Sequence, residues 1–233
     1  MSAIVCFDIR NFSTHLSHIT DRNKAKSQKI FEVVKDIFTH LDKEIKSSQV
    51  KFGFKGKTYV VHTGDGFVAI FDGKKKCLQG LVVSCLIGRS ISKILGEYNK
   101  IEEEDENLKY LPPLDYGIGI HLGAVTSFEY QPVYSSGNKT HGIGLVGHAI
   151  NLANRVQGTT KEHVYKIICT KRVFQDAISG IVDSHRDNIE KCFLSLGQHK
   201  LRGMRKPLTL YGIKATLALE IKPNVVSLSK LRH

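Results

Sequence analysis

Two aspartates stand where carboxylates can do chemistry. Asp65 sits at the apex of Val60-Val61-His62-Thr63-Gly64-Asp65-Gly66-Phe67-Val68-Ala69-Ile70-Phe71, which reads as strand, tight turn, strand. Asp8 closes the apolar run Ala3-Ile4-Val5-Cys6-Phe7. Carboxylates at the ends of short buried strands suit a pair of hard divalent cations that hold a triphosphate. A turn aspartate that only bonds its own backbone is the plainer alternative, and the hairpin alone leaves both open. Further on, Asn151 and Arg155 fall at i and i+4 in Ala149-Ile150-Asn151-Leu152-Ala153-Asn154-Arg155-Val156, on one face of a helix. Asparagine offers a donor and an acceptor, arginine a permanent charge with forked donors. Facing a phosphate, such a pair could position a ribose and neutralise charge growing at phosphorus. The same spacing also describes an ordinary surface pair.

These side chains need elements to hold them. Residues 2–9 read as a buried strand. Ile30, Val33, Val34, Ile37, Phe38, Leu41 and Ile45 fall at helical spacing and predict a long amphipathic helix over 22–47. The hairpin of 58–71 follows, then a second long helix over 77–98. Glu102-Glu103-Glu104-Asp105-Glu106 and Pro112-Pro113 mark an exposed connection, with the acid run as a solvated loop or helix end. Residues 115–130 read as a second hairpin turning at Gly123. A helix at 148–157, a strand at 166–169, a helix at 170–179 and strands near 193–201 and 207–213 complete the pattern. The order is βαββαβ with an extra strand, a ferredoxin-like core in the α/β (α+β) class with added C-terminal strands and helices. With no repeats and no low-complexity linker, one domain spans 1–215, and residues 216–233 form a tail with no clear partner.

Bulk properties narrow the function. The 233 residues are 41% hydrophobic, enough for a proper core. No uninterrupted apolar run reaches the roughly 18 residues of a membrane span, and no basic segment with a cleavage site opens the chain. Cys6, Cys77, Cys85, Cys169 and Cys192 lack metal-type pairing and lie mostly in apolar runs. They read as reduced core thiols of a cytoplasmic protein. The net charge of +12 suits a polyanionic substrate, but its bases are thinly spread. No aromatic–basic alternation marks a nucleic-acid platform, so neither nucleic acid nor membrane is expected as a partner. Gly142-Ile143-Gly144-Leu145-Val146-Gly147 fits the dinucleotide fingerprint by letter. That motif needs a strand before it, and the polar stretch 135–141 reads as a loop.

Five blocks in order resemble the class III nucleotide cyclases, the catalytic domain of adenylyl and guanylyl cyclases. They are Phe7-Asp8-Ile9-Arg10-Asn11-Phe12-Ser13, Thr63-Gly64-Asp65-Gly66-Phe67, Gly117 to Gly123, Gly147 to Arg155, and Leu201-Arg202-Gly203 with Pro207 to Tyr211. The resemblance implies the same βαββαβ core and an antiparallel homodimer with active sites at its interface. It implies that Asp8 and Asp65, helped by the Ile9 carbonyl, hold two Mg²⁺ or Mn²⁺ ions. Asn151 would orient the ribose, Arg155 would stabilise the pentacovalent phosphorus, and Arg202 would hold the triphosphate. Asn11 and Phe12 would belong to the phosphate loop and Gly64 to the second metal turn. Where the family usually has glycine, Asn11 still tolerates a left-handed backbone.

Departures from the family concern the base. The positions that read a purine in adenylyl and guanylyl cyclases carry Val61 and Gly144 here, and neither side chain can hydrogen-bond a purine edge. The catalytic set is kept. Tyr59-Val60-Val61-His62-Thr63-Gly64-Asp65-Gly66 is similar instead to the pyrimidine cyclases of bacterial antiphage systems, with Tyr59 narrowing the pocket toward a single ring. A strand-favouring tyrosine with no role in the site is the alternative for Tyr59. The expectation is cyclisation of a pyrimidine nucleoside triphosphate, UTP ahead of CTP, as an antiviral signal. A purine cyclase with an atypical base pocket and an inactive nucleotide-binding regulator are the rivals.

Overall fold

The computed structural model describes residues 1–20, 24–105, 108–130, 142–214 and 216–223. The N-terminal apolar run becomes strand β1 (Ser2–Arg10), whose two faces are both buried along most of its length. A strand of that kind belongs in the middle of a sheet. Helices α1 (Phe12–Thr20) and α2 (Lys24–Phe52) follow, then the hairpin β2 (Thr58–His62) and β3 (Gly66–Phe71). Helix α3 (Lys76–Glu103) leads to β4 (Asp115–Gly123). Strand β1 lies between β3 and β4, antiparallel to both. This is the expected βαββαβ core.

Beyond it come the two-stranded arm β5 (Thr126–Tyr130) and β6 (Gly142–Val146), helix α4 (His148–Thr159) and a 3-10 turn (Thr160–Glu162). Strand β7 (Ile167–Thr170), helices α5 (Lys171–Ser179) and α6 (Asp183–Glu190), strands β8 (Phe193–His199) and β9 (Leu208–Ile213), and helix α7 (Leu217–Glu220) complete the chain. The main sheet has seven strands in the order β2-β3-β1-β4-β7-β9-β8.

Alternation along β1 divides the core. Ala3, Val5, Phe7 and Ile9 point to the layer of α2 and α3, where Ile37, Leu41, Leu81, Ile87 and Ile91 are buried. The Phe7 and Phe67 rings stack there at 4.9 Å. Ile4 and Cys6 point to the opposite face and pack with Ile70 of β3 and with Ala149 and Ala153 of α4. Helix α4 comes this close because β4 carries glycine on that face. A Cβ at Gly119 would collide with the Gln157 backbone, and one at Gly123 with the Ala149 side chain. The Gly117-to-Gly123 block is therefore a helix seat. All five cysteines are buried and unpaired; burial pushes the Cys6 thiol up to about 12.

Several expectations are corrected. Residues 115–130 do not form a hairpin. β4 has β1 on one side and β7 on the other, so no edge is free for β5. β5 pairs with Gly142–Val146, the segment read as a false fingerprint, whose first five residues are themselves a strand; residues 135–141 lie outside the described residues. The acid run is not wholly solvated: Glu102 is 5% exposed. Its carboxylate meets the buried His15 of α1, a helix the periodicity did not signal. Helix α6 was missed too. The start of the C-terminal tail has a partner after all, since Leu217 and Ile221 are buried in the main core. Helix α3 is long and apolar enough by composition to cross a membrane, yet most of it is buried inside the fold.

Candidate active site

The site grows from the end of β1. Asp8 lies opposite Gly66 of β3 and Gly117 of β4. Glycine is required at 66, because a Cβ there would meet the Phe7 carbonyl. Asp65 occupies the turn just before it, closed by Thr63 N–H donating to the Gly66 carbonyl at 2.8 Å, with Gly64 at φ 89°. The two carboxylates therefore meet at one corner of the sheet. They line an open cleft of about 360 Å³ together with Ile9, Arg10, Asn11, Phe12, Ser13, Thr14 and Lys161.

Between β1 and α1 the chain must reverse, and Asn11 does this at φ 66°, the left-handed region that asparagine tolerates. Its side-chain amide donates to the Pro113 carbonyl at 2.8 Å and fixes the turn. Helix α1 then opens with its free N–H groups at the cleft, a favourable place for phosphate oxygens. Behind the turn, His15 donates from Nδ1 to Glu102 at 2.8 Å and from Nε2 to the Pro112 carbonyl at 2.7 Å. Two acceptors on the two ring nitrogens favour the doubly protonated ring. Burial alone would lower its pKa, but the hydrogen bonds to Glu102 and Pro112 and the Glu102 charge outweigh it, and His15 titrates above the ordinary histidine value.

Electrostatics single out the same corner. Burial, and then the Asp65 charge, raise the Asp8 pKa against the opposing pull of Lys161 and Arg10. Burial raises Asp65 as well, opposed by a hydrogen bond from its own backbone. Arg10, at the cleft edge, is held by Asp115 at 2.7 Å and by Thr160, so its charge is shared with the Asp115 carboxylate. Two neighbouring carboxylates, half-desolvated and short of positive charge, fit hard divalent cations with oxygen ligands, and the Ile9 backbone lines the same cleft.

Other expected residues lie elsewhere on the chain. Asn151 is exposed on α4, and Arg155 is one turn further on, half-buried. Arg155 lies over Gly203, where a Cβ would come within 3.0 Å of its guanidinium. One of its terminal nitrogens is buried with no hydrogen-bond partner among the described residues. A buried cationic donor without a partner is a costly arrangement that an incoming anion relieves. Arg202, exposed, is next to Gly203. None of these three lines the Asp8–Asp65 cleft.

Tyr59 and Val61 lie on β2 opposite Ile70 and Val68. They share the sheet face that carries Ile4, Cys6 and Asp8, and Tyr59 packs against that apolar cluster. Gly144 lies on the arm, directly across from Phe128. Any side chain at 144 would overlap the Phe128 ring. The sequence reading missed Phe128 and Lys161. Phe128 follows only once β5 is paired with β6; Lys161 follows only once the turn after α4 is seen to fold back toward β1.

Residues 2–214 match the family described as the adenylate and guanylate cyclase catalytic domain. An adenylate cyclase of Anabaena cylindrica is 27% identical over 157 residues, covering 66% of this chain. The chain spans only 27% of the length of that relative. Among solved structures, the adenylyl cyclase CyaB from P. aeruginosa is similar with a TM-score of 0.59 at 14% identity, over 91% of this chain and 92% of that one. The guanylate cyclase domain of RhGC from Catenaria anguillulae, in complex with GTP, gives 0.53 at 17% identity, over 91% and 96%. At these identities the two structures speak to the fold.

Proposed function

Because the chain belongs to the adenylate and guanylate cyclase catalytic domain family, we propose that it cyclises a nucleoside triphosphate to the 3′,5′-cyclic monophosphate. The observation that carries this reading is the Asp8–Asp65 pair, held in one cleft with the left-handed Asn11 turn and the start of α1. Asp8, Asp65 and the Ile9 carbonyl would hold two Mg²⁺ or Mn²⁺ ions. Such ions lower the pKa of the ribose 3′-hydroxyl and neutralise phosphate charge. Asn11, Phe12 and the following N–H groups take phosphate oxygens, and Gly64 lets the metal turn close. Asn151 orients the ribose. The 3′ oxygen bonds to the α-phosphorus as pyrophosphate departs, and Arg155 stabilises the charge that builds on the equatorial oxygens. Arg202 binds the triphosphate. The 1–215 segment is the catalytic unit, and 216–233 is a tail whose start packs into the main core through Leu217 and Ile221.

We take the substrate to be a pyrimidine triphosphate, UTP ahead of CTP. Support comes from Val61 and Gly144, which offer no side-chain hydrogen bond to a base, and from Tyr59 on the same sheet face as Asp8. The Phe128 ring over Gly144 adds to it, since it fills the place from which a longer side chain at 144 would reach. An antiviral signalling role in the cytoplasm rests on the likeness of the Tyr59-to-Gly66 segment to pyrimidine cyclases. The purine alternative is favoured by the matched relatives, which are named adenylate or guanylate cyclases. Incubation with each of the four triphosphates and Mn²⁺, followed by chromatography, tests the reading. The expected product is cyclic UMP with pyrophosphate, and a preference for ATP or GTP would restore the purine reading.

A further inference from the structure

The turn after α4 and the end of β8 bring together three metal-ligating side chains, none of them in the cleft lining. Glu162 closes the 3-10 turn, His163 follows it in extended backbone, and His199 is the last residue of β8. One ligand atom from each lies within 4.8 Å of the other two. The histidine rings meet edge-on, 5.2 Å between centroids.

Two details of the hydrogen bonding point to an ion. Nε2 of His163 is buried and has no hydrogen-bond partner among the described residues, an arrangement that needs an explanation. Nε2 of His199 is 3.1 Å from the Leu196 carbonyl. A carbonyl only accepts, so Nε2 carries a proton, and in the neutral ring Nδ1 is the nitrogen whose lone pair can bind a metal. A histidine whose far N–H is tied to a backbone carbonyl is a common arrangement for a metal ligand. Glu162 is exposed and can rotate onto the third corner. Ligands about 2.0–2.1 Å from a tetrahedral ion stand roughly 3.4 Å apart, so modest side-chain rotations close the set.

We propose that Glu162, His163 and His199 form a site for a borderline transition-metal ion of the zinc class, pinning the turn to the edge strand β8. Two imidazoles and one carboxylate suit Zn²⁺ or Co²⁺, whereas the all-oxygen set at Asp8 and Asp65 suits Mg²⁺ or Mn²⁺. The two sites are therefore chemically distinct. They are also neighbours in sequence: Lys161, on the same turn, lines the cleft. A metal ion at the new site fixes the backbone from which that lysine reaches the carboxylates.

The test is a titration of Co²⁺ and then Zn²⁺ into the full chain carrying Asp8→Asn and Asp65→Asn, which removes the cleft carboxylates from competition. One Co²⁺ should bind with the intense visible absorption of a four-coordinate site, and Zn²⁺ should displace it. Zn²⁺ should also slow amide hydrogen exchange over residues 160–163 and 196–199. Adding Glu162→Ala, His163→Ala or His199→Ala should each weaken binding by at least about 100-fold, more than the usual loss from a supporting residue. Because Glu162 is exposed, its variant keeps the test decisive even if a histidine variant fails to fold. A Co²⁺ spectrum like that of the free aqueous ion, binding unchanged by Glu162→Ala, or exchange unaffected by bound Zn²⁺ would overturn the proposal. No readout requires turnover, so failure here is separable from failure of the cyclase reading.

Discussion

Asp8 and Asp65 share a half-desolvated corner, and their charge is a cost to the folded chain until cations arrive. Both carboxyls have folded pKa values above the ordinary 3.8. The folded state therefore holds their protons more tightly than the unfolded state. The penalty is absent well below the ordinary carboxylate range and grows to its full size as pH rises through the raised values. Asp8→Asn should accordingly raise the melting temperature of the metal-free protein at neutral pH, with the gain vanishing in acid. In the same variant, cyclase activity should fall by at least about 100-fold. Parallel melting scans and turnover assays check both. Phe128 makes a second residue-scale case. If its ring sets the size of the base pocket, Phe128→Ala should raise ATP turnover relative to UTP by about tenfold, the scale on which an apolar pocket discriminates by size. An unchanged ratio would remove Phe128 from the specificity account.

At the scale of elements, what the sequence revealed depended on how strongly each pattern was written. Strands β1, β2 and β3 and helices α2 and α3 were legible, because long apolar runs or helical spacing mark them. The residues at their ends, Asp8 and Asp65, came with them. Strand β6 was hidden by the glycines in Gly142-Ile143-Gly144, which erase the side-chain alternation that identifies a strand. Helix α1 was hidden because Phe12-Ser13-Thr14-His15-Leu16 turns a buried histidine inward where an aliphatic residue would have been noticed. The same pairing explains why Glu102 was read as solvated with the rest of the acid run, since a carboxylate reads as exposed until its buried partner is known. The His15–Glu102 pair ties α1 to the end of α3 and supports the Asn11 turn. Removing one member of a buried pair costs about 3–5 kcal/mol, so Glu102→Ala should lose that much in denaturant unfolding. The His15 contribution is full below the ordinary histidine range and is lost as pH rises through its raised pKa. The wild-type advantage over Glu102→Ala should therefore shrink toward alkaline pH.

On the scale of the whole molecule, the residues expected to hold metal, phosphate and ribose fall into two groups that do not line one cleft. Asp8, Ile9, Asn11, Phe12 and Asp65 surround the corner of the sheet, while Asn151, Arg155 and Arg202 lie along α4 and the loop before β9. The i, i+4 spacing made the second group legible, but spacing within one helix says nothing about what the helix faces. On the arm, Phe128 and Val146 are 48% and 60% exposed. A homodimer in which α4 of one subunit serves the cleft of its partner, as the family resemblance implies, would reconcile the two groups. Mixing Asp65→Ala and Arg155→Ala proteins, each nearly inactive alone, tests this under conditions that exchange subunits. A mixed dimer places both lesions in one site and leaves the other complete. Random pairing makes about half of the dimers mixed, so recovery should approach about a quarter of wild-type activity. No recovery despite demonstrated exchange would contradict a cyclase site shared between subunits.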